Sequence, residues 1–237
     1  MLTAKTLTAR VPPELRHQVY LVRRGAAAAR YLRHLPTAPA EQLFPGIEEL
    51  EINMQHRFEN RGLPHGDAYV LSLITAYLRP GRIFEIGTGT GRATLLMLRQ
   101  APGALVDTLD LGDDNRAELG SERSDLPIEG SRVGEAWLGT EYAGRVSQHF
   151  GDSARFDFSQ FGAEMDLVLV DGAHTADYAA RDSRTALRLV RPGGTIVWDD
   201  CHLMHAGVSK ALVDLRRAGH PVYRVANSRL AALRVAG

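Results

Sequence analysis

The chain has 237 residues and carries 28 basic and 28 acidic side chains, so its formal net charge is zero. A neutral chain has no broad electrostatic attraction to nucleic acid or to an anionic membrane surface, and we expect it to bind neither. Its 44% hydrophobic and 24% charged content is ordinary for a globular protein. The length is enough for one large domain, or for a core domain with an added helical part.

Two further features of the composition concern the cellular compartment. The single cysteine, Cys201, excludes an intramolecular disulfide and is interpreted as a small buried residue. No stretch approaches the ~20 apolar residues of a membrane span, and the N-terminus lacks the apolar core of a signal peptide. We therefore expect a cytoplasmic protein.

The first 64 residues predict a helical extension. A helical pattern runs from Glu14 to about Arg33, and a second helical stretch is predicted from Ile47 to Arg61. Apolar faces on short helices need a partner. We therefore expect residues 1–64 to form either a cap over the active site or the interface of a homodimer.

From residue 65 the pattern changes to a second domain, residues 65–237, in which strands alternate with helices. This alternation predicts a Rossmann-like α/β fold with a doubly wound sheet of seven strands, mostly parallel with an antiparallel C-terminal strand. A helix over 65–78 precedes the first strand, and others are predicted between the last two parallel strands and near 206–218. The predicted strands cover residues 82–86, 105–110, 145–150, 166–171 and 194–199, followed by a terminal hairpin of 222–225 and 230–235.

The polar segment 112–141 is longer than an ordinary connection between a strand and a helix. We expect it to contain the helix between the second and third strands and a mobile loop. That loop either covers the substrate or is a plain surface insertion.

The most informative segment is Glu85–Gly91, EIGTGTG, which joins a predicted strand to a predicted helix. Its alternate glycines predict a turn where the backbone passes close to a ligand. The segment is not a dinucleotide fingerprint, because Arg92 and Thr94 stand where that motif needs its third glycine. It is not a P-loop either, because no Gly-Lys-Ser/Thr follows. The acid in front favours a cationic ligand over a pyrophosphate.

Acidic residues stand at or just beyond the end of nearly every predicted parallel strand. These residues are Glu85, Asp110, Asp152, Asp171, Asp199 and Asp200. The carboxyl ends of parallel strands meet at one edge of the sheet, where ligands bind. So many carboxylates at one edge repel one another unless cations offset their charge.

Two of these acids have a local alternative. Asp110 lies about 20 residues beyond the glycine turn, where an acid can accept hydrogen bonds from both hydroxyls of a ribose. It can equally cap a helix or lie in a solvated turn. Asp152 is followed by Ser153, and an Asx-turn that closes the strand explains it almost as well as a ligand does.

The acids Asp171, Asp199 and Asp200 end two strands that we expect to be neighbours, about 4.8 Å apart. Three converging carboxylates need a hard divalent cation between them, and an all-oxygen set suits Mg²⁺. The alternative is that they are capping acids at loop starts, one of them protonated.

Histidines follow the same strands. His174, three residues after Asp171, would lie beside the metal and can take a proton from a metal-bound hydroxyl at neutral pH. Otherwise it is a surface histidine at a helix N-terminus. His65, His202 and His205 could line the same cleft, but we interpret each as an ordinary structural or surface residue.

Taken together, five segments resemble one branch of the class I S-adenosylmethionine-dependent methyltransferases. The branch is that of the metal-dependent O-methyltransferases related to the macrocin-type enzymes and to the cephalosporin-hydroxylase-like proteins. The segments are EIGTGTG, LDL, FGDS, VDGAHTADYAARD and RPGGTIVWDD, within a resemblance that covers about residues 65–237. It implies S-adenosylmethionine and Mg²⁺ as cofactors, and a small molecule with a vicinal diol, a sugar or an aromatic, as methyl acceptor.

The resemblance also implies roles for individual residues. Glu85 and the glycines would bind the methionine part of the cofactor, Asp110 its ribose and Asp152 the edge of its adenine. The full cofactor set is Glu85, Gly87, Thr88, Gly89, Gly91, Asp110, Leu111, Asp152, Ser153 and Asp171. The metal ligands would be Asp171, Asp199 and Asp200, and His174 would be the general base. The family often has Glu-Asp or Asp-Asn at positions 199 and 200, a mild departure because either acid can coordinate.

Three rival functions remain open from the sequence. A metal-independent methyltransferase would keep the cofactor motif and use Asp199 and Asp200 only to shape the pocket. A non-catalytic cofactor-binding or assembly protein would use the arginine-rich residues 14–35 as a docking surface. A hydroxylase-like function is disfavoured because the sequence shows no clear set of two histidines and one carboxylate for iron.

Overall fold

The structure is a computed structural model that describes residues 13–52, 64–111 and 132–237, with side chains described from residue 21 onward within those ranges. Its helices are α1 (Pro13–Leu32), α2 (Ala40–Leu43), α3 (His65–Leu78), α4 (Arg92–Gln100), α5 (Ala176–Leu189) and α6 (Ala206–Arg217). Its strands are β1 (Thr37–Ala38), β2 (Arg82–Ile86), β3 (Leu105–Asp110), β4 (Val146–Phe150), β5 (Met165–Val170), β6 (Val190–Trp198), β7 (Tyr223–Val225) and β8 (Ala231–Arg234). Short 3₁₀ turns cover Ile47–Glu49, Ala143–Arg145 and Ser159–Phe161.

The strands form a single sheet in the order β1-β7-β8-β6-β5-β2-β3-β4. Strand β8 runs antiparallel to β6 and β7, and the other neighbouring pairs are parallel. The predicted Rossmann-like fold with an antiparallel C-terminal strand and a terminal hairpin is thus confirmed. The two-residue strand β1 extends the sheet by one strand beyond the seven predicted.

The central strands explain why the sheet is buried on both faces. Strand β5 reads MDLVLV, and every residue except Asp166 is buried. A nearly continuous run of branched apolar residues is typical of a parallel strand covered by helices on both sides. The helix that follows, α5, is N-capped by Thr175, whose hydroxyl accepts a hydrogen bond from Tyr178 N at 3.4 Å.

Two hydrophobic clusters lie on opposite faces of the sheet. One packs α5 and α6 against the sheet and includes Trp198 and Leu212, and the other packs α3 and α4 and includes Leu71 and Met97. Together they hold the strand ends of β2, β3, β5 and β6 in fixed register. A site at that edge therefore stands on a rigid base.

Residues of the N-terminal extension belong to both clusters. Leu32 and Leu35 pack in the first cluster, and Phe44 and Ile47 in the second. The boundary between residues 64 and 65 stays a prediction, as do the roles of cap and dimer interface. These contacts show only that described parts of the extension share their core with the sheet.

The predicted helix over 47–61 is wrong at residues 50–52. Only Ile47–Glu49 forms a helical turn, and Leu50 has extended backbone angles, φ −81° and ψ 133°. Leu50 and Ile52 pack against the second cluster, as alternate residues of an extended chain can. Residues 53–61 lie outside the described ranges.

The predicted insertion over 112–141 is described only from residue 132. Those residues form turns that lead into the 3₁₀ turn Ala143–Arg145. The predicted helix in this segment lies outside the described residues. Among the helices that the structure describes, none has both the length and the apolar character that crossing a bilayer requires.

Candidate active site

Backbone hydrogen bonds continue beyond the ends of the central strands and align the predicted site residues. Gly87 N donates to Leu109 O at 2.8 Å, and Asp171 N donates to Ile86 O at 2.8 Å. On the next strand, Asp199 N donates to Val170 O at 3.1 Å. The glycine turn, Asp171 and Asp199 therefore lie side by side at one edge, as the sequence predicted.

The glycines of the turn differ in what surrounds them. Gly87 has φ +98°, and a Cβ there would lie 2.0 Å from Asp171 O, so the close approach of the two strand ends requires glycine. Gly91 has φ +78° and a Cβ would lie 2.5 Å from the Trp137 ring. Among the described residues, no atom lies within 4 Å of the Cβ position of Gly89. Gly89 is thus the glycine of this turn that no described residue crowds.

Glu85 lies within the sheet and is fully buried. Its Oε2 accepts hydrogen bonds from the hydroxyls of Thr94 at 2.5 Å and Thr108 at 2.6 Å. Burial raises the pKa of Glu85 to about 7, although these two hydrogen bonds act in the opposite direction. Glu85 thereby ties β2 to β3 and α4, and its contact with a cofactor stays a prediction.

Thr88 and Gln148 continue this network of hydroxyls. The hydroxyl of Thr88 lies 2.7 Å from that of Thr108, and Gln148 Nε2 donates to Thr88 Oγ1 at 3.0 Å. The side chain of Thr88 is buried and hydrogen-bonds within the protein interior. Only the backbone of Thr88 could therefore contact a ligand.

Asp110 lies next to the glycine turn. Gly89 N donates to its Oδ2 at 2.7 Å, so the acid predicted for the ribose adjoins the glycine that no described residue crowds. Leu111, directly after β3, is half-buried. The structure thus brings together the two predicted parts of the cofactor site, the turn and the acid of β3.

Asp152 forms the Asx-turn that the sequence left as an alternative. Its Oδ1 accepts from Ala154 N at 2.9 Å and from the hydroxyl of Tyr178 at 3.1 Å. Its neighbour Ser153 hydrogen-bonds to the side chain of Asp182, whose pKa burial raises to about 6. The Asp152–Ser153 segment is therefore anchored to α5.

The three acids predicted as metal ligands converge. One carboxylate oxygen from each of Asp171, Asp199 and Asp200 lies within 4.8 Å of the others. Burial raises the pKa of Asp171 well above its ordinary value, and the charges of Asp199 and Asp200 raise it further. Burial and the charge of Asp200 raise the pKa of Asp199 to about 6. The raised pKa values of Asp171 and Asp199 mean that these buried carboxylates are stabilised by a bound proton or by another positive charge.

Asp200 is the centre of the cluster. Its φ is +59°, a left-handed conformation that is uncommon for a residue with a side chain. His174 Nε2 lies 2.6 Å from its Oδ2, and His202 Nε2 lies 3.1 Å from its Oδ1. Although burial acts to raise the pKa of Asp200, the hydrogen bonds from His174 and His202 outweigh it and lower the pKa.

The third histidine, His205, also belongs to this group. Its Nε2 lies 3.8 Å from Asp200 Oδ2, and its ring centroid lies 4.0 Å from that of His174. Burial lowers the pKa of His205 to about 4, although Asp200 acts to raise it, so the ring is neutral at pH 7. The loop after β6 folds both His202 and His205 onto Asp200, so they belong to the cluster, and a role for them beyond structure stays untested.

Arg229 was missed by the sequence analysis. Its guanidinium lies 3.6 Å from Asp199 Oδ2 and 3.2 Å from Asp200 Oδ1. Its Nε lies 2.6 Å from Asp67 Oδ2, and its backbone N donates to Asp67 Oδ1 at 2.6 Å. The residues around Arg229, just before β8, give no indication that its partner lies on α3. Trp137, Thr94 and Thr108 were missed for the same reason.

The geometry at this edge agrees with a comparison of the chain with protein families. A family model described as a methyltransferase domain matches residues 84–201, which run from β2 to the residue after Asp200. The chain therefore contains a methyltransferase domain over these residues, consistent with a class I S-adenosylmethionine-dependent methyltransferase. The matched residues contain the glycine turn and all three acids of the cluster. A comparison with curated protein sequences found no significant match for this methyltransferase.

Solved structures show the same fold. Cofactor-bound Rv0187 from MTB is 20% identical, with a TM-score of 0.51, and the match covers 90% of this chain and 91% of that one. TomG from Streptomyces achromogenes, an O-methyltransferase involved in tomaymycin synthesis, is 18% identical with a TM-score of 0.52, covering 85% and 92%. An O-methyltransferase from Bacillus cereus is 15% identical with a TM-score of 0.51, covering 82% and 90%. These likenesses establish the fold of the methyltransferase.

Proposed function

We propose that the protein is a Mg²⁺-dependent O-methyltransferase that methylates one hydroxyl of a small vicinal diol. The observation that carries this proposal is the convergence of Asp171, Asp199 and Asp200, with one oxygen of each within 4.8 Å of the others. An all-oxygen donor set fits Mg²⁺. TomG in complex with S-adenosylmethionine and the Bacillus cereus enzyme in complex with SAH are O-methyltransferases of similar fold, and they support the choice of reaction.

The cofactor is proposed to lie over the glycine turn. Gly89 leaves room for it, and the carboxylate of Asp110 adjoins Gly89 and can accept hydrogen bonds from ribose hydroxyls. Asp171 follows β5 at the side of the same turn. A methyl group held there would be near Asp171, which belongs to the acid cluster.

The cation would be held by Asp171, Asp199 and Asp200. When bound, Mg²⁺ lowers the pKa of an acceptor hydroxyl and fixes its orientation. An acceptor with two neighbouring oxygens suits such a cation, which is why we propose a diol. The acids supply the negative charge that holds the cation, and Arg229 limits their mutual repulsion before it binds.

His174 is proposed to remove the proton of the acceptor hydroxyl. Its Nε2 lies 2.6 Å from Asp200 Oδ2, so a neutral ring would carry its proton on Nε2, next to that carboxylate. In that tautomer Nδ1 would be the nitrogen that takes the substrate proton. The carboxylate of Asp200 stabilises the imidazolium that forms and holds the ring in this tautomer.

One observation favours a second candidate, a metal-independent methyltransferase. Arg229 already lies within 3.6 Å of both Asp199 and Asp200 and supplies positive charge that the first candidate assigns to Mg²⁺. In this alternative the acids and Arg229 only shape and orient the acceptor pocket.

The two candidates differ in their response to chelation. Purified protein, S-adenosylmethionine and a panel of catechols and sugar diols would be incubated with EDTA or with Mg²⁺, and SAH and methylated product measured by mass spectrometry. We expect turnover to stop in EDTA and return with Mg²⁺. The Asp199→Asn variant should not recover, whereas Asp177→Asn, which changes an exposed acid on α5, should behave as the wild type. Turnover that is unchanged by EDTA would favour the metal-independent candidate.

A further inference from the structure

We propose that His174, Asp200 and His205 form a second metal site, which binds a transition-metal ion such as Zn²⁺ and, when filled, prevents His174 from acting as a base. The metal-binding part depends only on the geometry of these three side chains. The inhibitory part rests on the proposed function of His174. The site shares Asp200 with the Mg²⁺ set but is otherwise built from imidazoles.

The distances suit a small metal ion. The ligand atoms of His174, Asp200 and His205 all lie within 4.8 Å of one another. From Asp200 Oδ2, His174 Nε2 is 2.6 Å away and His205 Nε2 is 3.8 Å away. Zinc ligands in a tetrahedral site are about 3.3 Å apart, given metal–ligand distances of about 2.0–2.1 Å. The two separations from Asp200 Oδ2 therefore lie within about 1 Å of the spacing that a zinc site requires.

The two oxygens of Asp200 face different partners. Oδ2 faces His174 and His205, whereas Oδ1 faces His202 Nε2 at 3.1 Å and Arg229 Nη1 at 3.2 Å. Groups that hydrogen-bond to the non-ligating oxygen orient a carboxylate ligand and are a regular feature of built metal sites. The Oδ1 contacts therefore hold Oδ2 toward the two imidazoles.

The three ligand side chains are largely shielded from solvent, and the backbone of His205 is fixed while its ring is not. The side chains of His174, His205 and Asp200 are 13%, 10% and 11% exposed. The buried Nδ1 of His205 has no hydrogen-bond partner among the described residues, so no polar contact fixes the ring from that side. The backbone on either side of His205 is fixed, because its N donates to His202 O and its O accepts from Ser209 N. The ring can thus turn toward a metal while its backbone stays in place.

The ligand types separate the two sites. Imidazole nitrogen suits Zn²⁺ and its first-row neighbours, whereas carboxylate oxygen suits Mg²⁺. Two histidines and one carboxylate are also the protein ligands of several zinc sites that keep a position open for water. The sequence analysis found no clear set of this kind, and the fold assembles one because the loop after β6 returns His205 to Asp200 and His174.

Occupation of this site is incompatible with the proposed role of His174. A metal bound at Nε2 would replace the contact between His174 and Asp200 and would hold the ring as a ligand. The ring would then no longer serve the proton transfer proposed for it. Zinc should therefore inhibit the Mg²⁺-dependent reaction without displacing the cofactor.

Cobalt binding to the full-length protein tests the site without any assay of activity. Co²⁺ replaces Zn²⁺ and gives stronger visible absorption bands in a four-coordinate site with nitrogen ligands than in a six-coordinate oxygen site. We expect such bands for the wild type, their displacement by Zn²⁺, and their loss in His205→Gln. The matched control is His220→Gln, a histidine outside the cluster, which should keep the bands. Absence of the bands in the wild type, or bands that survive in His205→Gln, would overturn the proposal.

Two further variants separate this proposal from the proposed function. Asp171→Asn removes a ligand of the Mg²⁺ set alone, so it should abolish Mg²⁺-dependent turnover and keep the cobalt bands. His202→Gln should keep the bands but weaken Zn²⁺ binding by about 10-fold or more, because only the orientation of Asp200 is lost. Circular dichroism of each variant checks that the fold is intact. Loss of the bands in Asp171→Asn would contradict a distinct imidazole site, whatever the outcome for methyl transfer.

Discussion

The two sides of this sheet edge tolerate buried carboxylates in different ways. On the side of β2 and β3, Glu85 is surrounded by threonine hydroxyls, and burial raises its pKa to about 7. On the side of β5 and β6, Asp199 and Asp200 face the guanidinium of Arg229, and Asp200 also faces three imidazoles. The first side reduces the charge of its acid, whereas the second keeps the charge of Asp200 and pairs it.

This difference indicates what each side is suited to do. Neutral hydrogen bonds fix a strand, a helix and a turn in one geometry, which is what a binding surface for a cofactor needs. A group of paired charges can exchange protons and cations, which is what a reacting centre needs. The following changes test that division, from the largest expected effect to the smallest.

The largest effect is expected for the proposed base. His174→Gln should lower kcat by about 10²–10⁴-fold, because the acceptor hydroxyl loses its proton acceptor. The affinity for SAH, measured by calorimetry, should stay unchanged, because the glycine turn proposed to bind it lies on the β2–β3 side of the edge and His174 on the β5–β6 side. His220→Gln serves as the control with unchanged kcat. A fall of less than about 10-fold would remove His174 from the role of general base.

The charge pairing is tested by Arg229→Ala. This change leaves Asp67, Asp199 and Asp200 buried without their guanidinium and should lower the free energy of unfolding by about 3 kcal/mol without added metal. Chemical denaturation measures the loss, and added Mg²⁺ should recover part of it. The control Arg217→Ala breaks an exposed ion pair and should cost less than about 1 kcal/mol. Equal losses in the two variants would show that the acids do not depend on Arg229.

The β2–β3 side, where threonine hydroxyls surround Glu85, is tested through the pH dependence of stability. In the folded protein Glu85 keeps its proton up to a pH of about 7, whereas in the unfolded chain it loses the proton near its ordinary pKa of 4.5. The unfolded state then binds fewer protons, so the free energy of unfolding falls as the pH rises between those values. Glu85→Gln removes this contribution, and its stability relative to the wild type should rise across that range by up to about 3 kcal/mol.

Denaturation curves collected from pH 4 to pH 8 would check this prediction for Glu85→Gln. Glu48→Gln, which alters an exposed acid, is the control and should follow the wild type at every pH. A constant difference between Glu85→Gln and the wild type would contradict a raised pKa for Glu85.

The smallest expected effect concerns a pair of glycines in helices. A Cβ at Gly207 would lie 2.2 Å from His174 O, whereas Gly25 on α1 has nothing within 4 Å of its Cβ position. Gly207→Ala should cost about 1–3 kcal/mol of stability and lower kcat, because α6 then displaces the backbone of His174. Gly25→Ala should instead stabilise by about 0.5–1 kcal/mol. Thermal unfolding and kcat of both variants measure this contrast, and a Gly207→Ala variant as active as Gly25→Ala would contradict it.

Much of the fold could be predicted because its signals are local. The strand over 82–86, the strand over 105–110 and the helix over 65–78 have the predicted bounds, since the period of apolar residues and the flanking Pro and Gly specify them. The parallel alternation of strands and helices then places Asp171 and Asp199 at one edge. Strand β1 could not be predicted, because two residues are too few to show the alternation of apolar and polar residues that marks a strand.

Reading along the chain therefore established the class of fold, the glycine turn and the row of acids. Only the tertiary structure joined Arg229 to Asp67, 162 residues away, and brought His205 onto Asp200. It also showed that Gly87 is glycine because the backbone of Asp171 passes against it. Contacts of this kind depend on how helices and strands pack. Packing brings together residues that are far apart in the sequence, and no local sequence pattern predicts such pairs.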